Sequence, residues 1–479
     1  MCLVAACGGL LFGYDWVVIG GAKPFYEAFF NITDPVTSGW AMSSALVGCV
    51  VGAMISGYLS DGLGRKITLI ISAVLFTVSA WGTGWYDSFN AFVFYRIVGG
   101  VGIGIASGIS PVYIAEVSPA DRRGKMVAIN QLTIVIGILA AQFTNLLIAE
   151  AVPSDYNMEQ IAATWNGQMG WRYMFWAELV PAIAFFVLMF IVPESPRYLA
   201  KCGKMEQARR ILTKIGGASY AEQSLSEIAA SLRGAANEPK TSFKEVLHPK
   251  YRNVLIIGIV LAAYQQWSGI NVIFNYAQEI FASAGFDIDS TLKSIVATGL
   301  INFIATIVAL PLVDKLGRRR LLILGSAGLA IIYAAMTIAY ACGIMGLPVL
   351  FLVLAAIAVY AITLAPVTWV LLSEIFPNRI RGLAVSIGTF SLWIACFLLT
   401  YTFPIINAGL GASGSFGLYG LICVMALFFI IKKVPETKGV SLEYIETLLV
   451  KDDATDQANA SNHDHHDADS GNTTGTAAH

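Results

Sequence analysis

The chain has 479 residues, is 56% hydrophobic and only 13% charged, and carries a formal net charge of −1. Soluble domains average about 25% charged residues, so this composition excludes an ordinary soluble domain. The near-neutral balance also argues against a nucleic-acid partner. The 7 cysteines are scattered, mostly inside apolar runs and without a CxxC pair, so they are read as small buried apolar residues.

Apolar runs long enough to cross about 30 Å of hydrocarbon recur throughout. Twelve spans are predicted: 2–22, 39–60, 67–86, 90–114, 127–149, 172–192, 253–275, 291–313, 321–343, 347–372, 382–405 and 414–432. The first begins almost at Met1, so the usual polar leader is missing or the start is trimmed. Gly8 to Gly21 reads as part of a retained span and not as a cleaved signal. On the fourth span, Gly100, Gly104 and Gly108 form a small-residue stripe that lets another helix pack closely. All of the Lys and Arg residues except Lys23, Arg96, Arg172 and Lys293 lie after even-numbered spans or in the tail. The positive-inside rule then puts both termini in the cytoplasm.

Residues 193–252 form the longest polar stretch between spans, with helix-period runs at Met205–Ile215 and Ala221–Leu232. They divide the chain into a bundle over 1–192, a cytoplasmic helical linker over 193–252, a second bundle over 253–434 and a cytoplasmic tail over 435–479. The sequence after Val450 is too polar to bury a core, so it is expected to be disordered. A solvated tail explains His463, His465 and His466 better than a metal site does.

Three motifs occur twice, in the same order and about half a chain apart. Asp61-x-x-Gly64-Arg65-Lys66 returns as Asp314-x-x-Gly317-Arg318-Arg319. Glu116-x-x-Pro119-x-x-x-Arg123-Gly124 returns as Glu374-x-x-Pro377-x-x-x-Arg381-Gly382. Pro193-Glu194-Ser195-Pro196-Arg197 has a looser echo in Pro435-Glu436-Thr437-Lys438-Gly439. In a membrane protein, such a duplication points to a transporter that rocks one half against the other.

These motifs, with Gly13-Tyr14-Asp15 in the first span, QQWSGIN at 265–271 and WVLLSEIFPNRIRG at 369–382, resemble the sugar porter family of the major facilitator superfamily. Within it they resemble the bacterial D-xylose–proton symporters. The resemblance covers nearly the whole chain. It implies an all-α membrane protein with twelve transmembrane helices in two pseudo-symmetric six-helix bundles, a central sugar site and alternating access. Three positions depart from the pattern. Gly62 stands where the family usually has Arg, Leu392 where the xylose symporters carry Gln, and Asn275 where they carry Tyr. The last two lie near the expected sugar site and bear on which sugar is taken.

Ionisable residues inside spans cost roughly 2.5–3.5 kcal/mol on insertion scales and are functional by default. Asp15, Arg96 and Glu178 are the three expected to qualify. At 1.5 Å per residue, Asp15 lies roughly 20 Å from the inner end of its span. Arg96 and Glu178 lie roughly 10 Å from the outer ends of theirs, which places all three at similar depth. They are expected to form a proton site: Asp15 takes the proton, Arg96 stays charged, and Glu178 tunes or satisfies Arg96. A static buried ion pair is the competing reading. The resemblance favours the proton site, because proton-coupled members carry Asp at this position and passive carriers usually carry Asn.

A sugar needs side chains that both donate and accept hydrogen bonds, together with aromatic faces. Gln265, Gln266 and Asn271 cluster in the seventh span, where a break at Gly269 would turn them inward together. Gln131 and Asn302 match further family sugar-contact positions. Trp369 and Trp393 lie within spans, away from the membrane edges where Trp collects, and are expected to be buried against sugar. Phe12, one turn from Asp15, is a candidate lining residue. Interhelical glue and core filling are the competing readings of these amides and rings.

The repeated motifs fall at inner span ends. Asp61, Arg65, Glu116, Arg123, Glu194 and Arg197, with Asp314, Arg318, Glu374, Arg381 and Glu436, are expected to form a cytoplasmic gate. It should tie the halves together in the outward-facing state and part in the inward-facing one. The reading is therefore a monosaccharide–proton symporter of the plasma (bacterial inner) membrane, working as a monomer, with D-xylose first and D-glucose or a related hexose next. A passive facilitator and a polyol or cyclitol symporter remain alternatives, and a sugar sensor a weaker one. No nucleophile–base or metal constellation is present, so neither an enzyme nor a cofactor is expected.

Overall fold

The computed structural model describes residues 1–119, 122–153, 155–237, 243–377 and 379–438, without the side chains of 234–237, 314 and 373. The described residues are helical throughout, with turns and short extended links between helices. In the first half the spans are α1 (Cys2–Phe30), α2 (Pro35–Leu63), α3 (Arg65–Trp85), α4 (Phe89–Val117), α5 (Arg123–Ile148) and α6 (Asn166–Ile191). α7 comes in three pieces, Arg252–Trp267, Ile270–Asn275 and Ala277–Ser283. It is followed by α8 (Ile288–Leu316), α9 (Arg318–Ala341) and α10, which joins Leu347–Ile362 to Leu364–Ile375. The last helical stretch, Arg381–Lys433, has 53 residues. A straight helix of that length would run about 80 Å, more than twice a bilayer core. Gly411 at φ 67° breaks it into α11 (381–410) and α12 (412–433). Among the described residues, eleven long apolar helices thus make twelve crossings, an all-α membrane protein.

Sequence chemistry sets the ends of these helices. Asp34 caps α2 by accepting from the Thr37 backbone at 2.8 Å, with Pro35 in the first turn. Asp287 caps α8 through Ser290 at 3.3 Å. α1 is longer than its apolar run implied. It continues through Pro24 to Phe30 and ends on Asn31 in the left-handed conformation. Lys23, expected in a loop, therefore lies on α1 and is 2% exposed. Asp15, Arg96 and Glu178 are consequently not the only buried charges in this part of the molecule.

The glycine stripe on α4 meets α2. A Cβ on Gly100 would sit 1.8 Å from the Ala45 carbonyl oxygen, and one on Gly104 2.4 Å from that of Cys49. Only glycine permits the two backbones to approach this closely. Between the halves, the helices Pro196–Lys201 and Met205–Asn237 bury Leu199, Ala208, Leu212, Ala221 and Leu225 in a small core of their own. Gly217, at φ 87°, breaks the longer helix.

Because twelve crossings return the chain to its starting side, the start of α1 and the end of α12 lie at one end. Contacts between the halves gather toward the other, far end. There α1 packs on the second and third pieces of α7, α2 on α11, and α5 on α8. Gln142 of α5 donates to Thr298 of α8 at 3.3 Å.

Candidate functional site

The charged centre belongs to the first half. Asp15 of α1 and Arg96 of α4 are 1% and 2% exposed and form a direct ion pair, Nη1 to Oδ1. Arg96 also donates to the Asp15 carbonyl at 3.4 Å and lies 5.5 Å from the centroid of Phe175. Asp15 Oδ2 has no hydrogen-bond partner and is pressed against Gly99, where a Cβ would stand 2.8 Å from it. Glu178 is buried at the start of the second part of α6, and its Oε1 makes no hydrogen bond. It is within electrostatic reach of both Asp15 and Arg96. The three residues do come together, with Asp15 and Arg96 in contact and Glu178 alongside.

In the second half the amides form a chain. Gly269, at φ 84°, interrupts α7 and turns Gln265, Gln266 and Asn271 toward one another. Gln266 Nε2 donates to Gln265 Oε1 at 3.2 Å, and Gln265 Nε2 to the Ala365 carbonyl at 3.3 Å. Asn271 Nδ2 donates to Gln266 Oε1 and approaches Cys396 Sγ of α11 at 3.4 Å. Trp267 Nε1 ties the same segment to α11 through the Ala395 carbonyl at 3.0 Å.

Aromatic rings link α1, which carries Asp15, to α11, which the amide chain meets at Cys396. Phe12, Trp16 and Trp393 form a triangle with centroids 6.0 Å apart on every side, two rings from α1 and one from α11. Trp393 is 3% exposed, and its Nε1 is buried without a partner. A small internal gap lies between Trp16, Met42, Arg96 and Asn275, where Asn275 Oδ1 is also buried and unpartnered. It places Asn275 of the second half beside the charged pair of the first.

Not every expected site residue joins this constellation. Trp369 was expected to be buried; it is 43% exposed on α10. Gln131 is partly exposed on α5 and Asn302 is buried on α8, and neither hydrogen-bonds to the amide chain. Trp16 was missed, although it follows Asp15 directly and lies one helical turn from Phe12.

At the end where α1 starts and α12 finishes, the duplicated motifs build two matching networks. Arg65 holds Glu116 through two bonds of 3.0 Å, and Arg318 holds Glu374 at 3.1 Å. Glu194 accepts the backbone N–H groups of Arg65 and Lys66, and Glu436 those of Arg318 and Arg319. These carboxylates cap α3 and α9, where unpaired N–H groups and the helix dipole favour negative charge. Gly64 and Gly317, at φ 92° and 89°, make the turns, and a Cβ on either would collide with its capping Glu. Ser195 and Thr437 complete the pattern by donating to Glu116 and Glu374, the latter at 2.5 Å. That hydroxyl was visible in the third repeat as Glu-Ser against Glu-Thr, but it was given no role. Arg123 and Arg381 donate to the Ala115 and Phe376 carbonyls at 3.0 and 3.1 Å. Asp61 pairs at the surface with Arg65 and Lys201, and Arg197 reaches Ser231 of the linker. The side chain of Asp314 lies outside the described residues. The partners named here for Arg65 all belong to the first half, and those for Arg318 to the second.

A duplicated helical membrane protein with a charged centre in one half and an amide–indole centre in the other is built as a carrier. A family model described as sugar (and other) transporter matches residues 1–449, and the chain belongs to that family. It is 40% identical over 477 residues to the D-xylose-proton symporter of Escherichia coli (strain K12), covering 93% of this chain and 94% of that one. It is 36% identical over 448 residues to the Arabinose-proton symporter of Bacillus subtilis (strain 168), again covering 93% and 94%. A solved inward-open structure of the xylose transporter XylE from E. coli superposes with a TM-score of 0.81 at 37% identity, covering 94% of this chain and 99% of that one.

Proposed function

We propose that the protein imports a monosaccharide together with a proton by alternating access, with D-xylose as the first candidate and D-glucose or a related hexose next. The observation that carries this reading is the buried Asp15–Arg96 pair, whose helix α1 sends Phe12 and Trp16 across to Trp393 of α11, the helix that Asn271 of the amide chain also meets at Cys396. The relatives named as xylose and arabinose symporters support the sugar class and the coupling.

The unpartnered Oδ2 of Asp15 is the atom that receives the proton. Protonation cancels the carboxylate charge and loosens its hold on Arg96, whose guanidinium stays charged. Glu178 is placed to keep that cation company in the low-dielectric interior. Gln265, Gln266 and Asn271 supply donors and acceptors for sugar hydroxyls, and Trp393 Nε1 supplies a further donor. Phe12 and Trp393 carry the presence of sugar to the helix that holds Asp15. Gln131, Asn302 and Trp369 belong to the wall of the same path. The bridged far end, where α1 and α2 pack on α7 and α11 and Gln142 bonds to Thr298, supports an inward-facing state. In the outward-facing state the surfaces that carry Arg65 and Arg318 meet as the cytoplasmic gate. The protein acts as a monomer in the bacterial inner membrane, with both termini and the 193–252 linker in the cytoplasm.

Purified protein in liposomes, given an inward proton gradient, should accumulate labelled D-xylose above equilibrium and lose it on addition of a protonophore. Equilibration without accumulation would make it a passive facilitator. Competition by polyols or cyclitols in preference to pentoses and hexoses would reassign the substrate.

A further inference from the structure

One charged cluster with a buried cation takes no part in the proton site, the sugar site or the repeated networks. Lys23 lies on the far third of α1, and its Nζ is 2.8 Å from Glu27 and 2.5 Å from Glu279. Glu27 is one turn further along α1, whereas Glu279 belongs to the last piece of α7, in the other half. Glu27 also accepts from Ser38 Oγ of α2 at 2.5 Å, and Lys23 stands 5.7 Å from the Tyr276 ring centroid. A single cation is thus shared by two carboxylates that face each other across the seam between the halves.

The seam around it is closed at backbone distance. A Cβ on Gly20 of α1 would stand 3.0 Å from the Asn275 carbonyl oxygen of α7. One on Gly39 of α2 would stand 2.4 Å from that of Tyr401 on α11. This packing buries Lys23, and the loss of water around the cation strengthens its pull on the two partly buried carboxylates. The Lys23–Glu279 contact exists only while the far end is shut, so its energy counts toward one access state and not the other. Without the cation, Glu27 and Glu279 would be left as like charges across the same seam, which favours opening.

We infer that Lys23, held between Glu27 and Glu279, is the charged lock of the far-end gate and sets the ratio of the two access states. The inference rests on the alternating-access reading above. These are positioning residues: they touch neither the sugar nor the proton-binding carboxylate.

Hydrogen–deuterium exchange on the full-length protein in nanodiscs tests it. Lys23→Met should raise exchange about tenfold in segments 20–38 and 272–286 and lower it at the opposite end, in 57–66 and 192–198, as the population shifts. Glu279→Gln, a milder change that keeps the site polar, should move both ends in the same directions. The double variant Lys23→Glu with Glu279→Lys restores one cation between two carboxylates and should return both ends to the original pattern. A rise at the far end with no fall at the other would mean local loosening only and would overturn the lock, as would a charge swap that fails to restore either end. If wild-type liposomes show no sugar uptake, the transport reading fails while the exchange result still reports on the lock.

Discussion

Where the two halves face the end at which α1 starts and α12 finishes, they are near copies. Arg65 meets Glu116 as Arg318 meets Glu374, and Glu194 caps α3 as Glu436 caps α9. Inside the membrane they part ways. The first half holds the Asp15–Arg96 pair with Glu178, and the second holds the Gln265–Gln266–Asn271 chain and Trp393. The difference teaches that duplication supplied a shared framework at one end, while the buried charges and the buried amide chain lie in separate copies; on the function proposed above, the coupling ion and most of the sugar contacts divide the same way. Phe12 and Trp16 on one side and Trp393 on the other are a direct contact between those copies.

That division of labour can be broken by experiment. The largest effect is expected from Asp15→Asn. A membrane potential gives a proton about 2.3 kcal/mol per 100 mV, enough for more than tenfold accumulation, and that accumulation should fall to equilibration. Sugar exchange without a gradient should persist, so loss of exchange as well would show that the first half also carries binding. Gln266→Ala should do the reverse. Losing a buried partner is worth about 1–3 kcal/mol, so KM should rise roughly 10–100-fold with uphill accumulation retained at saturating sugar. An unchanged KM would remove the amide chain from the site.

Glu116→Gln and Glu374→Gln test the symmetry itself. Each should slow uptake by about tenfold through loss of a charge-assisted bond, with the two variants alike. Markedly unequal rates would mean that the matching networks do different work. The smallest effect concerns the caps at the far end. Hydrogen bonds from Thr37 and Ser290 hold Asp34 and Asp287 below the usual carboxylate range. The stabilisation from such a group is present above the unfolded carboxylate range and lost as pH falls through the folded value. Asp34→Ala and Asp287→Ala should therefore each lower the melting temperature slightly at neutral pH, and the difference should vanish in acid. An effect that persisted in acid would not come from the caps.

Much of the fold was legible because lipid enforces it. A backbone in hydrocarbon must bond to itself, so twelve apolar runs had to become twelve helices, and the Lys and Arg asymmetry and the repeats followed from simple counting. Burial depth along a helix is also one-dimensional, which is why Asp15, Arg96 and Glu178 could be placed at one level from residue numbers alone. The Gly269 break could be read because glycine is the residue that tolerates a positive φ in mid-span.

The remainder depended on which faces meet, and periodicity does not encode that. Lys23 looked like a loop residue because the apolar run stops before it; only the continuation of α1 through Pro24 puts it into the far-end seam. Glu279 reads as an ordinary polar residue until α7, broken twice, turns it toward α1. Trp369 looked buried because it lies in an apolar span, yet the packing of α10 leaves it exposed. By itself the sequence determined the crossings, the duplication and the chemical types gathered in each half, since those depend on composition and spacing. The tertiary structure decided which charges pair across the halves, because that depends on the rotation and contact of helices far apart in the chain.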